Sequence, residues 1–277
     1  MASLIVCLCI AAAVCIAVWV LSVVTHEHSW VDRIWSIVPV VYLWVFAAGT
    51  GFADARVVIM AVLATMWGAR LTFNFARKGG YARGGEDYRW SVLRARMSPG
   101  GFALFNLFFI VIFQNIVLLL ITVPALTAAQ HPSPLGALDG VAAALFLALL
   151  AGETVADQQQ WRFQSWKAAE REAGMDPHPR FLQRGLFSVS RHPNYFFEIA
   201  QWWVIFFFGA IAAASVLQWT VIGAVLLSVL FVGSTVFTEQ ITKSRYPEYA
   251  EYQSSTSAVI PWFPRRSATR TDRTGLA

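Results

Sequence analysis

Residue types that carry chemistry crowd into eight positions of the C-terminal third, Arg191-His192-Pro193-Asn194-Tyr195 followed by Glu198. Arg and His hold anions, Asn donates and accepts at once, Tyr offers an ionisable hydroxyl and Glu a carboxylate. Pro193 suits the opening turn of a helix, whose unbonded N–H groups favour an anion. The non-catalytic alternative is an interface anchor built on Tyr195, Trp202 and Trp203. Upstream, Glu153 and Asp157 are four residues apart and therefore share one helix face. Two stacked carboxylates repel unless a cation or a donor lies between them, so this face is expected to line a ligand. A third stretch, Arg77-Lys78-Gly79-Gly80-Tyr81-Ala82-Arg83-Gly84-Gly85-Glu86-Asp87-Tyr88-Arg89-Trp90, combines glycines that permit close approach with arginines able to fork onto phosphate. It matches neither a Walker nor a dinucleotide fingerprint, and a basic loop facing anionic lipid is its alternative reading. Cys7, Cys9 and Cys15 lie in one apolar run at spacings that suit neither a metal nor a disulfide framework, so they read as packing or lipid-facing residues and no metal site is expected.

The elements that must position these groups follow from composition. Of 277 residues, 57% are apolar and 13% charged, the latter about half the share usual in soluble domains. There is too little polar surface to wrap a water-soluble globule, which excludes a soluble domain, a disordered chain and a coiled coil. Seven apolar runs are long enough to cross a bilayer: Ser3 to Val24, Ile34 to Phe52, Val57 to Phe75, Phe102 to Leu126, Leu138 to Ala156, Tyr195 to Ala213 and Val216 to Thr238. The first lacks a positive leader and is too long for a signal peptide, so it is kept as a helix. The expectation is an all-α polytopic membrane protein: one seven-helix domain over 1–264, and a disordered basic tail over 265–277.

Placing the N-terminus outside puts 19 of the 21 Lys and Arg residues on the inner side, leaving Arg56 outside and Arg70 near the inner end of the third span. Positive-inside asymmetry of this strength sets the N-terminus outside and the C-terminus in the cytoplasm. The net charge of +5 is then a property of the cytoplasmic face, and nucleic-acid binding is not needed to explain it. Polar groups inside spans cost a few kcal/mol each, about 2.5 to 3.5 for a central charge, and need a reason. They are Arg70, Gln114, Asn115, Glu153, Asp157, Glu198 and Glu239, with Asp32 just ahead of the second span. Arg70 can snorkel to the inner surface. Gln114 and Asn115 serve either an interhelical hydrogen bond or a substrate contact. The acidic groups fall in the cytoplasmic half, so the site is expected to open to the cytosol.

Arg191-His192-Pro193-Asn194-Tyr195 with Glu198 resembles the C-terminal signature of the steroid 5-alpha-reductase superfamily, in particular its bacterial branch of membrane proteins. Gly185-Leu186-Phe187, the Glu153/Asp157 helix, Glu86-Asp87-Tyr88-Arg89, Tyr249-Ala250-Glu251-Tyr252 and Ile260-Pro261 extend the similarity, which runs from about Asp32 to Pro261 and is strongest over 138–264. The resemblance implies a monomeric NADPH-dependent reductase of an activated C=C bond in a hydrophobic steroid, isoprenoid or other lipid enone, seated in a bacterial inner membrane with its site facing the cytoplasm. It assigns the cofactor to Arg89, Glu153, Asp157, Arg180, Arg191, His192, Asn194, Tyr195 and Glu198, and catalysis to Asp32, Tyr195 and Glu198. Asp32, seven residues before Pro39, falls where those enzymes place a substrate-site Glu.

Two positions depart from the pattern. Trp67 stands where those enzymes carry a catalytic Tyr, and Trp is a donor but no practical acid. The proton must then come from Tyr195, Tyr88 or a water held by Asp32. Phe197 replaces the Gly usual before Glu198, and its ring would crowd a cofactor approaching that backbone. The rival expectation is an S-adenosylmethionine-dependent membrane methyltransferase of the isoprenylcysteine carboxyl type, which shares the Arg-His-Pro-x-Tyr loop and a Glu ahead of a Tyr-x-x-Tyr end. Phe196-Phe197 and Glu239-Gln240, in place of a Gly and a Glu-Glu pair, weigh against it. A third class, a non-catalytic lipid-binding protein, is disfavoured by the carboxylates kept in the membrane.

Overall fold

The structure, a computed structural model, describes residues 1–265, so the tail expected from 265 onward lies almost wholly outside the described residues. Helices account for every regular element among them, with no strand. In chain order these are α1 (Ala2–Thr25), α2 (Trp30–Ile34), α3 (Val38–Gly49), α4 (Ala55–Arg77), α5 (Tyr88–Arg96) and α6 (Pro99–Phe105). A π-helical segment (Asn106–Phe113), α7 (Gln114–Leu120), α8 (Pro124–Gln130), α9 (Ala137–Glu172), α10 (Pro193–Ala212), α11 (Val221–Arg245) and α12 (Tyr249–Ser255) complete the set, with a short 3-10 turn at Gly185–Ser188. Six stretches among the described residues are long and apolar enough to cross a membrane, the fourth expected run being the composite Pro99–Gln130.

The second expected span is where sequence and structure part. The run from Trp30 to Gly49 is divided at residues 35–37, and α3 has 12 residues. That is about 18 Å of helix, short of the roughly 30 Å hydrocarbon core. Pro39 opens α3 and has no N–H to offer the carbonyl four residues back, which breaks the ladder there. The composite run is interrupted twice. Asn106–Phe113 winds in the wider π form, where Phe105, Phe109 and Phe113 stack at 4.9 and 5.4 Å. Pro124 then starts α8 after a turn.

Two compact units make up the chain. The first joins Met1–Ala148 to Ala200–Ser228. In it α1 packs on α3 and α7, and α3 and α4 pair along their length. Their register is fixed by Ser36 Oγ and Thr72 Oγ1 at 2.7 Å and by Trp44 Nε1 donating to Thr65 Oγ1 at 3.0 Å. Between them Gly68 lets the backbones touch: a Cβ there would sit 2.5 Å from the Ser36 carbonyl oxygen. Small residues at helix crossings serve this purpose in membranes. Arg56, the single basic residue assigned to the outer side, is buried at the start of α4 and forks onto Asp139 of α9, with Nε 2.6 Å from Oδ1 and Nη2 2.9 Å from Oδ2. On α1, Cys7 is buried, Cys9 exposed and Cys15 half-buried, fitting the packing and lipid-facing roles expected of them.

The second unit joins Leu149–Ile199 to residues 229–265. Here the later turns of α9 are tied to the segment after it. Gln159 Oε1 accepts from the Leu186 N–H at 3.0 Å, and buried Lys167 donates its ammonium to the Arg180 carbonyl.

Candidate active site

The signature loop is anchored by a residue on another helix. Arg191 donates Nε to Glu239 Oε1 at 2.6 Å and Nη2 to Oε2 at 3.0 Å, with both side chains less than a tenth exposed. His192 Nε2 lies 3.1 Å from the same Oε1, the Tyr249 hydroxyl donates to it at 3.2 Å, and Gln253 Nε2 donates to Oε2 at 2.8 Å. The third arginine nitrogen, Nη1, donates to the carbonyls of Gln253 and Thr256. The backbone N–H groups of Arg191 and His192 donate to the Ser257 and Ala258 carbonyls at 2.8 and 3.0 Å. The loop therefore enters α10 already clamped by α11, α12 and the chain after α12. Burial, and then the Glu239 charge, push the Tyr249 phenol up, so it stays a donor throughout the physiological range.

Beyond this clamp, α10 presents the rest of the signature. Asn194 and Tyr195 are half-buried, and neither the Asn194 amide nor the Tyr195 hydroxyl has a hydrogen-bond partner among the described residues. The Tyr195 ring is fixed nonetheless, stacked on His192 at 5.1 Å and edge-on to Phe231 at 4.8 Å. Glu198, one turn further along, is 4% exposed. On α9, Glu153 and Asp157 are 3% and 5% exposed, as expected of a shared inward face. Phe197, the departure expected to crowd the site, turns its ring onto α9 at Gly152, where a Cβ would lie 2.5 Å from the ring. The glycine missing from position 197 is thus matched by one at 152, next to Glu153. Arg180 is held by Asp176 Oδ2 at 2.6 Å and covers the Tyr246 ring.

Asp32 and Arg89 belong to the first unit. Asp32 Oδ2 accepts from Trp90 Nε1 at 3.0 Å. Arg89 forks onto Asp87, with Nε 2.9 Å from Oδ1 and Nη2 2.8 Å from Oδ2. The glycine loop between α4 and α5 is clasped from within the unit. Arg33 donates to the Gly80 and Ala82 carbonyls at 3.1 and 3.3 Å, and Glu27 accepts from Gly84 N–H at 3.0 Å. Trp67 is fully buried and meets Trp202 edge-to-face at 4.8 Å. Asn115 donates not across helices but to the Val111 carbonyl of its own run, at 2.8 Å.

A family model describing proteins of unknown function, DUF1295, matches residues 18–256, which spans α1 to α12 and takes in both units. The chain belongs to the DUF1295 family. That family consists of membrane proteins related to the steroid 5-alpha-reductases, in keeping with the resemblance carried by the signature. One relative of this DUF1295 protein, an uncharacterized protein of Schizosaccharomyces pombe, is 40% identical over 261 residues, covering 88% of this chain and 75% of its own. A fungal relative at that identity corrects the restriction to a bacterial branch. No solved structure matches the DUF1295 chain.

Glu239 is the residue whose part was not read from sequence. It stood out as a carboxylate inside a span, yet its pairing with Arg191, 48 residues away, has no local signal. Tyr249 and Gln253 were hidden for the same reason.

Proposed function

We propose that this protein is a membrane-embedded NADPH-dependent reductase of an activated C=C bond in a hydrophobic lipid enone. The observation that carries the reading is the start of α10. There an amide and a hydroxyl without hydrogen-bond partners among the described residues, Asn194 and Tyr195, precede a buried carboxylate, Glu198, on a loop made rigid by Glu239. Such groups fit a nicotinamide dinucleotide: Asn194 matches its carboxamide, and Glu153, Asp157 and Glu198 can accept from its ribose hydroxyls. Bound there, NADPH would supply a hydride to the β-carbon of the enone.

The protein's own contribution is placement and proton supply. Arg191 and His192, committed to Glu239, act as positioning residues that hold Asn194 and Tyr195 in register. Tyr195 is the proton donor favoured here, because its ring is fixed on both sides and its hydroxyl is unengaged. Asp32 keeps the substrate-side role that the resemblance implies. Arg180 remains a phosphate-binding candidate, whereas Arg89 shares its charge with Asp87. Against the rival methyltransferase reading stand Phe196-Phe197 and Glu239-Gln240, and Asn194 together with Glu198 favours the reductase.

The same proposal includes seven membrane crossings, with α2 and α3 together making the second, the N-terminus outside and the site open to the cytoplasm. The distribution of basic residues supports it, and so does the buried pairing of Arg56, which removes the one outward charge that opposed it. The protein acts as a monomer on lipid, without nucleic acid. The deciding experiment measures affinity for NADPH and S-adenosylmethionine side by side on purified protein, followed by NADPH consumption with a panel of lipid enones. NADPH binding with turnover is expected; S-adenosylmethionine binding alone, or neither, overturns the reading.

A further inference from the structure

The chain after α12 forms a strap over the second unit. Trp262 N–H donates to the Val189 carbonyl at 2.9 Å, Ser190 Oγ donates to the Val259 carbonyl at 2.6 Å, and Arg265 N–H donates to the Ser255 carbonyl at 2.8 Å. Beneath it lies a cleft of about 460 Å³ whose lining includes Arg191, Gln253, Ser254, Ser257, Trp262 and Arg265 and contains no carboxylate residue. Arg191 is neutralised by Glu239, so the open charge of the cleft is Arg265. Neither its guanidinium nor the Ser257 hydroxyl has a partner among the described residues. At the rim the strap exposes its apolar side chains: Ile260 is 65%, Trp262 67% and Phe263 84% exposed. Exposed aromatic residues beside an arginine are what a membrane interface selects. The sequence continues with Arg266, Arg270 and Arg273, against one acid, Asp272.

We propose that this cleft binds the phosphate of an anionic phospholipid headgroup, with Arg265 and Ser257 taking the phosphate oxygens and Trp262 and Phe263 seated among the acyl-chain ends. The size suits a headgroup, the lining offers donors without competing carboxylates, and the flanking arginines favour an anionic surface. The proposal rests on the chain spanning a membrane and is independent of which cofactor α10 receives.

The test uses full-length protein purified in detergent. Retention of phosphatidylglycerol and of phosphatidylcholine with identical chains is compared by native mass spectrometry and thermal melting, with inorganic phosphate alone as a third arm. Phosphatidylglycerol is expected to be retained about fivefold more tightly than phosphatidylcholine, the equivalent of one arginine at a lipid surface. Arg265→Gln should erase that preference, whereas Ser257→Ala, and Trp262→Ala with Phe263→Ala, should weaken retention of both lipids. All four leave the backbone clasp in place, and an unchanged far-ultraviolet circular dichroism spectrum and lipid-free melting temperature report an intact fold. Equal retention of the two lipids by the wild type, or a preference that survives Arg265→Gln, overturns the proposal. Inorganic phosphate that raises the melting temperature as much as phosphatidylglycerol does would overturn the lipid source and assign the cleft to a soluble phosphate.

Discussion

Glu239 accepts from Arg191, Tyr249 and Gln253 and touches His192, so its carboxylate is the point on which the signature loop is hung. Removing one partner of a buried ion pair leaves the other uncompensated, at a cost of about 3–5 kcal/mol. Glu239→Gln is therefore expected to lower unfolding stability by that amount in chemical denaturation. Asn194→Ala and Glu198→Gln, which leave the clamp intact, should instead lower NADPH affinity about tenfold or more, read by calorimetry. At this scale the sequence disclosed which residues were chemically out of place, because a carboxylate among Leu and Val is visible without a fold. It could not disclose which of them serve as supports: Arg191 and Asn194 are three residues apart, yet only the first is consumed by a partner.

Among the elements, the meeting of α9 and α10 at Gly152 and Phe197 bears most directly on the site, since Glu153 and Glu198 are their chain neighbours. A side chain at 152 must displace the Phe197 ring. Overpacking of this kind costs about 1–3 kcal/mol, and truncating a buried phenyl about 3–5 kcal/mol. Gly152→Val and Phe197→Gly should each destabilise the protein, and the double variant by less than their sum, a coupling read from a thermodynamic cycle of melts. Long apolar runs made α1, α4 and α10 legible to within a few residues, whereas α9 and α11 end 16 and 7 residues past the apolar stretches that marked them, because polar turns continue both helices. Two breaks were not legible. Pro39 ends a ladder inside a run that hydropathy scores as continuous, and the π winding of Asn106–Phe113 has no compositional mark, since it is a choice of hydrogen-bond partner rather than of residue.

At the scale of the whole molecule, the inward bias of basic residues predicts that a fluorescent protein fused after residue 277 will light up in the cytoplasm while a secreted phosphatase fused there stays inactive; the opposite pattern contradicts the proposed orientation. At this level composition disclosed the helical, membrane-spanning character, since a chain this apolar must satisfy its backbone polar groups within its own regular structure. What it concealed was that Arg56 has no weight in the balance. Converting Arg56 to Met alone should cost about 3–5 kcal/mol by stranding Asp139, and converting Asp139 to Leu as well should recover most of it. The pairing also imposes an order on biosynthesis. The two residues are 83 positions apart. At about 5–20 residues per second, the guanidinium leaves the ribosome some 4–17 s before its counterion is made. During that interval a nascent α4 carries a naked cation at its leading end, and the insertion machinery must shelter it until the fifth hydrophobic run arrives.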